Sequence, residues 1–451
     1  MVKKRRISCL AIDCYLTTLL AKDIFFECLR RWAGKVLLTM AGLGVWYGIV
    51  QAKSLDVADL QFRDLPPRLA QRFDPMSFTG LMRTLTERTE RRKREGEFDH
   101  LIAYALQSNQ FTKEPRIEPA LSAKVYAQSA TIPTEVQRRL QQFLQSLSNP
   151  ADNPRLKYFA QLVPAHNRSL EFLEGEYSRV MKFLYAKEFL QQTHAYETRG
   201  YSTDTQVAVN FTVWNALSLL RAMNPGLRIR RVLIIGPGMD LAPRTELIDA
   251  VPPQSFQPYL TADALLSLEL SALSDLEIDC VDISRRVVDL INSFSGGKRL
   301  LQLYSPRGTK EYNRYFELLG REIGKPSQDD TLSSALPRDF LIRFLSVKPR
   351  VAQAVHATEL NISTQRLLQT YDLAIATNVL LYFEPAELAL ALGSTAAMLR
   401  TGGYLIHNDL RPETEAEAER AGLAVLQGRS VLVAEGRHAP LYDSFALHQK
   451  R

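Results

Sequence analysis

A chain of 451 residues, 46% hydrophobic and 23% charged, carries enough apolar material for two or three globular domains, which argues against a disordered protein. Its net charge of +7 is concentrated at one end. Residues 1–35 hold eight Lys or Arg against three acids, five of the seven charges, so no nucleic-acid-binding face is expected. Cys9, Cys14, Cys28 and Cys280 form no CxxC pair and the histidines are scattered, so neither a metal site nor a disulfide framework is expected.

Residues 1–53 combine a basic N-terminus with an uncharged, mostly apolar run, Val36–Ala52, flanked by Lys35 and Lys53. As a helix these 17 residues would be about 26 Å long, close to the ~30 Å hydrocarbon thickness of a bilayer. Trp46 and Tyr47 suit a membrane interface, and Gly42, Gly44 and Gly48 suit tight packing. Three readings stay open: a transmembrane anchor, an export signal cut after Val-Gln-Ala, or a buried helix of the soluble fold. The first predicts a membrane-associated protein. Its orientation is open, because the basic flank places the N-terminus in the cytoplasm and the remainder of the chain outside.

Residues 54–195 read as a helical domain. The segment Phe73–Arg94 runs into the charge-dense stretch 87–95, whose acids and bases interleave at helical spacing, as on a solvated helix face. Ser146 to Pro154 is rich in turn-forming residues and reads as a linker. Leu170, Leu173, Tyr177, Val180 and Leu184 then share one helix face, as core residues do. Thr203-Asp204 is placed to cap a helix carrying Val207, Val213, Trp214, Leu217 and Leu220.

Residues 200–451 carry the motifs. Val232–Ile235 is apolar and mostly β-branched, as a buried parallel strand should be, and ends at Gly236-Pro237-Gly238. A second strand, 276–282, ends in the carboxylate of Asp282, with Ser284 positioned to start a helix through Val287, Val288, Leu290 and Ile291. An acid at that place can accept hydrogen bonds from ribose hydroxyls or simply cap the helix. A third strand, Leu373–Ala376, brings Asn378 to its carboxyl end, and Pro385 suits the first turn of the next helix. Gly402-Gly403 predicts a helix stop before another strand, and residues 430–434 and 444–448 predict an antiparallel hairpin at the sheet edge.

The ordered phrases VLIIGPG, IDCVDIS, YDLAIATNVLLYF and MLRTGGYLIHND resemble class I S-adenosylmethionine (SAM)-dependent methyltransferases over roughly residues 200–450. The resemblance implies a Rossmann-like α/β fold, a seven-stranded sheet with an antiparallel C-terminal edge, and SAM as cofactor. It places Gly236 and Gly238 beside the methionine and ribose of SAM, Asp282 on the ribose hydroxyls and Ile283 on the adenine. Asn361 falls near the adenine amine, and Asn378 and Val379 on the methyl-transfer side. Tyr382, His407 and Asp409 are the polar candidates for a catalytic role, Tyr382 and His407 first.

The sequence also departs from the family. Ile234 stands where an acid is usual and Asp240 where a third glycine is usual, so Asp240 is a candidate for the SAM ammonium. Gly236 and Asp282 are separated by a Pro-rich stretch, 251–258, read as a long loop before a helix at 262–273, and a further insertion spans about 296–350. The expected activity is methyl transfer to an unidentified acceptor. Two alternatives stay open: a methyltransferase-fold binding protein without catalysis, and an NAD-type Rossmann oxidoreductase. A cytoplasmic SAM pool favours a cytoplasmic catalytic domain, against the orientation drawn from the basic flank.

Overall fold

The computed structural model describes residues 55–192, 195–197, 199–241, 248–249, 251–293, 299–327, 340–435 and 440–451. The segment Val36–Ala52 lies outside these. Among the described residues no helix is long and apolar enough to cross a membrane.

The strands in chain order are β1 (Val57–Asp59), β2 (Arg231–Ile235), β3 (Glu277–Asp282), β4 (Arg299–Pro306), β5 (Gly324–Pro326), β6 (Phe340–Val347), β7 (Val355–Glu359), β8 (Gln365–Leu367), β9 (Tyr371–Ala376), β10 (Leu399–His407), β11 (Leu423–Ala434) and β12 (Leu441–Lys450). Seven of them form one sheet in the order β11-β12-β10-β9-β2-β3-β7. Strands β10, β9, β2, β3 and β7 are mutually parallel, while β12 is antiparallel to both β10 and β11. The expected antiparallel edge is therefore the β11–β12 hairpin.

Parallel strands are covered on both faces, and this explains the unbroken apolar runs in β2, β3 and β9. Alternate residues serve opposite cores. Val232, Ile234, Ile278, Cys280 and Ile375 pack on one side, and Leu233, Ile235, Val281 and Ala374 on the other. The first face is covered by the helices Val207–Met223 and Gln257–Ser267, and its core continues into the helices between residues 101 and 188. The second face is covered by the helix Pro385–Met398, the helix Pro412–Arg420 and residues 55–85. In the helix Leu170–Glu188 the stripe Leu173, Tyr177, Val180 and Leu184 is buried, as its spacing predicts.

Several local expectations are corrected. The charged run lies on a helix face with Glu87, Glu90, Arg91 and Arg94 exposed, as expected, but the helix does not end at 94. The run belongs to a 30-residue helix, Phe78–Gln107, in which Thr89 and Arg92 are buried. Thr203-Asp204 does not cap the next helix, which starts at Val207. Instead the Thr203 carbonyl accepts the Met239 N–H at 2.6 Å. The Pro-rich loop ends sooner than expected, because Pro258 sits in the first turn of the helix Gln257–Ser267. Gly402, at φ +77°, marks a register shift within β10 rather than a helix stop, since the strand begins at Leu399. The insertion forms its own antiparallel sheet, β4-β6-β5, with the helix Lys310–Leu318 between its strands.

Candidate functional site

From β2 the chain moves through β3 to β7 on one side, then returns to β9 and β10 on the other. The order reverses at β2–β9, and open α/β sheets bind ligands outside the carboxyl ends of the strands at such a reversal. A cleft lies there. It is lined by residues following β2 (Gly236, Gly238), β3 (Asp282, Ile283), β7 (Leu360, Asn361, Ile362) and β9 (Asn378, Val379, Tyr382, Phe383).

Both glycines have left-handed backbone, at φ +63° for Gly236 and +70° for Gly238. A Cβ on Gly236 would sit 2.5 Å from Val379 Cγ2, and one on Gly238 2.7 Å from the Thr203 carbonyl oxygen. The turn thus needs glycine both for conformation and for close approach of its own chain. Gly236→Ala is expected to cost about 1–3 kcal/mol through backbone strain and displacement of Val379. Urea unfolding of the variant beside the unaltered protein measures this.

Asp282 ends β3 and is 7% exposed. Its carboxylate accepts the N–H of Ser284 at 2.8 Å and a backbone hydrogen bond from Gly238. Burial pushes its pKa up to about 6, against those two donors, which favour the charged form. The residue therefore fixes the turn that leads into the following helix and also presents a carboxylate to the cleft. Asn378, at φ +56°, is a non-glycine residue held in left-handed backbone. It is fixed by a reciprocal pair with Asn408: Asn378 N–H to Asn408 Oδ1 at 2.8 Å, and Asn408 Nδ2 to Asn378 Oδ1 at 2.7 Å. Such strain persists where surrounding bonds over-determine it. Asn361 lines the cleft, but its side chain ties its loop to the helix Phe78–Gln107, accepting from Ser363 N at 3.1 Å and donating to Thr89 Oγ1 at 3.2 Å.

The structure brings Gly236, Gly238, Asp282, Ile283, Asn361, Asn378, Val379 and Tyr382 to one cleft and leaves Asp240, His407 and Asp409 elsewhere. Asp240 faces a neighbouring cavity, where its carboxylate accepts a hydrogen bond from the Tyr304 hydroxyl. Burial pushes its pKa up to about 7. His407 is buried at 1% exposure, its Nε2 2.9 Å from Nε2 of His448. Burial and the neighbouring imidazole hold its pKa down to about 3, so it is a neutral core residue and not a group lining the cleft. Asp409 is committed to Arg411 at 2.8 Å and to the Thr414 hydroxyl.

The sequence reading missed the strap that covers the cleft. Tyr201, Ser202 and Asp204 line it from a segment preceding the helix Val207–Met223. Arg92, on the charged helix, holds this strap. Its guanidinium donates to the carbonyls of Arg199 (2.8 Å), Tyr196 (3.2 Å) and Tyr382 (2.9 Å), and its Nη1 lies 3.4 Å from the buried Glu387. Tyr201 donates its hydroxyl to Glu387 at 3.1 Å and its N–H to the Arg92 carbonyl at 2.8 Å. Arg199 in turn pairs with Asp99 at 2.5 Å and reaches the Tyr382 hydroxyl at 3.3 Å. A Cβ on Gly96 would meet the Tyr201 carbonyl oxygen at 1.4 Å, so helix and strap touch backbone to backbone. A glycine inside a helix next to a charged run was the available signal.

Among the described residues lining the cleft, the charged ones are Asp204 and Asp282, with no Lys or Arg. This balance suits a ligand with cationic groups and opposes a pyrophosphate. The amides after the glycines are also taken: Met239 N–H by the Thr203 carbonyl and Asp240 N–H by the Gln254 carbonyl at 2.9 Å. They are not offered to a phosphate as at a dinucleotide-binding turn.

No family model matches the chain, and no curated protein matches it. Solved structures do. TrmN from Thermus thermophilus is 13% identical, covering 52% of this chain and 47% of its own length, with a TM-score of 0.25. The magnesium protoporphyrin IX methyltransferase ChlM from Synechocystis PCC 6803, with bound SAM, is 10% identical over 59% of this chain and 94% of its own, at 0.29. The N-methyltransferase NodS from Bradyrhizobium japonicum WM9, in complex with S-adenosylhomocysteine (SAH), is 12% identical over 58% and 97%, at 0.27. The chain is similar to SAM-dependent methyltransferases.

Proposed function

We propose that the chain is a SAM-dependent methyltransferase whose cofactor occupies the cleft at the β2–β9 reversal. The observation that carries this reading is the convergence of the Gly236–Gly238 turn, the Asp282 carboxylate and the Asn378 turn at one strand-end crevice whose charged lining, among the described residues, is acidic.

The Asp282 carboxylate accepts the ribose hydroxyls. Ile283, Leu360 and Ile362 supply the apolar slot for the adenine. Gly236 and Gly238 keep the floor clear of side chains, and Asp204 faces the ammonium and sulfonium end. When bound, SAM supplies an electrophilic methyl group that is displaced in line from sulfur. The protein's part is alignment and exclusion of water, and positioning provides much of the effect. Tyr201 and Ser202 of the strap exclude water, while Asn378 and Val379 line the methyl-transfer side of the cleft.

The test is ultraviolet photolabelling of the full chain with methyl-tritiated SAM. Labelling that SAH competes away and NADH does not is expected. Competition by NADH with none by SAH would sink the proposal in favour of the oxidoreductase reading.

A further inference from the structure

A second cavity, of about 230 Å³, opens beside the cofactor cleft and shares Asp204 with it. It lies between the first turn of the helix Val207–Met223, the end of β4 at Tyr304–Pro306, and the β11–β12 hairpin at Val433 and Leu441. Its walls are largely apolar, and Val207, Phe256 and Val433 are all buried. Two carboxylates stand in it. Asp240 is 6% exposed and bonded to the Tyr304 hydroxyl, and Asp204 lies 3.2 Å from His100 Nε2. The basic residue in the lining, Arg307, is exposed at the rim.

A buried carboxylate facing an apolar cavity is costly to ionise alone and favours a cationic guest that brings its own hydrocarbon. The insertion that departs from the family supplies Tyr304, and the position that lacks the third glycine supplies Asp240, so both departures meet in this cavity. Its size suits a small molecule, and Asp204 is a wall that it shares with the cleft.

We propose that this cavity is the methyl-acceptor site and takes a small organic amine, drawn in as its ammonium form by Asp204 and Asp240. The proposal rests on the SAM reading of the adjoining cleft. Once in place, the ammonium gives one proton to the Asp240 carboxylate. The freed nitrogen lone pair forms the N–C bond to the methyl carbon as the C–S bond breaks, and that electron pair stays on sulfur. The products are a neutral thioether and an N-methylammonium ion, and Asp240 returns its proton to water. A carboxylate whose pKa lies near about 7 is matched to accepting a proton at neutral pH.

The test uses the full chain and two probes of equal shape and opposite charge, 2-phenylethylamine and 3-phenylpropanoate. Binding of each to the SAH-loaded protein is measured by calorimetry, alongside SAH formation from SAM. The amine is expected to bind and to drive saturable SAH formation, and the carboxylate to do neither. Asp240→Asn, and Ala208→Trp, which fills the cavity from the helix, should each weaken amine binding by about tenfold or more. Both should leave SAH affinity within about twofold. If SAH binds while the amine is held no better than the carboxylate, or if both variants keep full amine affinity, the acceptor site is overturned and the cofactor site stands. If SAH itself does not bind, both readings fall.

Discussion

Arg92→Ala is expected to lower the unfolding free energy by about 3–5 kcal/mol, the range for removing one member of a buried, hydrogen-bonded charge pair. Arg92 is 3% exposed and bonds three carbonyls of the strap and the β9 loop, while Glu387 opposite it is fully buried. Alanine leaves the Glu387 carboxylate with the Tyr201 hydroxyl at 3.1 Å, the Glu384 N–H at 3.4 Å and the distant Arg88 at 4.0 Å. Lysine is not expected to rescue the loss, because one ammonium cannot reach carbonyls that a planar fork reaches together. The neighbouring Arg91, 65% exposed and 4.0 Å from Glu95, is the control, with an expected change of about 0.5 kcal/mol or less. Urea unfolding followed by circular dichroism decides between them. Equal effects at 91 and 92 would contradict the buried-anchor role.

Asp240→Asn is expected to stabilise the protein above neutrality, by on the order of 4 kcal/mol at pH 8, and to change little at pH 4. The sign comes from burial. The native pKa is pushed up to about 7 from an unfolded value of 3.8, so the folded state binds more protons between those limits. Stability of the unaltered protein therefore falls as pH rises from about 4 to about 7. Asp282, pushed up to about 6, adds to the same slope over the lower part of that window. Asparagine carries no charge to bury and still accepts from the Tyr304 hydroxyl. Melting curves from pH 4 to 8 should show the variant overtaking as pH rises; a difference independent of pH would contradict the burial argument.

The strand cores were legible because parallel strands covered on both faces must be apolar throughout, and β2, β3 and β9 are. The glycine turn, the Asp282 tip and the Asn378 turn were legible because each comes directly after such a strand. Within the charged run, whose other charges are largely exposed, the burial of Arg92 was not legible, because periodicity within one helix does not show which charges meet a partner: Arg92 finds Glu387 at a separation of 295 residues. The strap escaped for a related reason. Tyr201 has no local pattern and Asp204 reads locally as a helix cap, whereas their role comes from lining the cleft at the strand ends. His407 looked like a candidate because it ends a strand, yet its partner His448 comes from β12, whose pairing with β10 sequence spacing does not reveal. Within the insertion, two strands alternate and pair away from the main sheet, so their shorter apolar runs gave no parallel-strand signal.

The measurement that tests the central claim most directly is calorimetric titration of the full chain with SAH, repeated on Asp282→Ala. Saturable binding in the unaltered protein, weakened by about a hundredfold or more in the variant, is the predicted result, because the ribose hydroxyls lose a charged acceptor in a buried site. Unchanged affinity in a folded Asp282→Ala protein would contradict the assignment of this cleft to the cofactor.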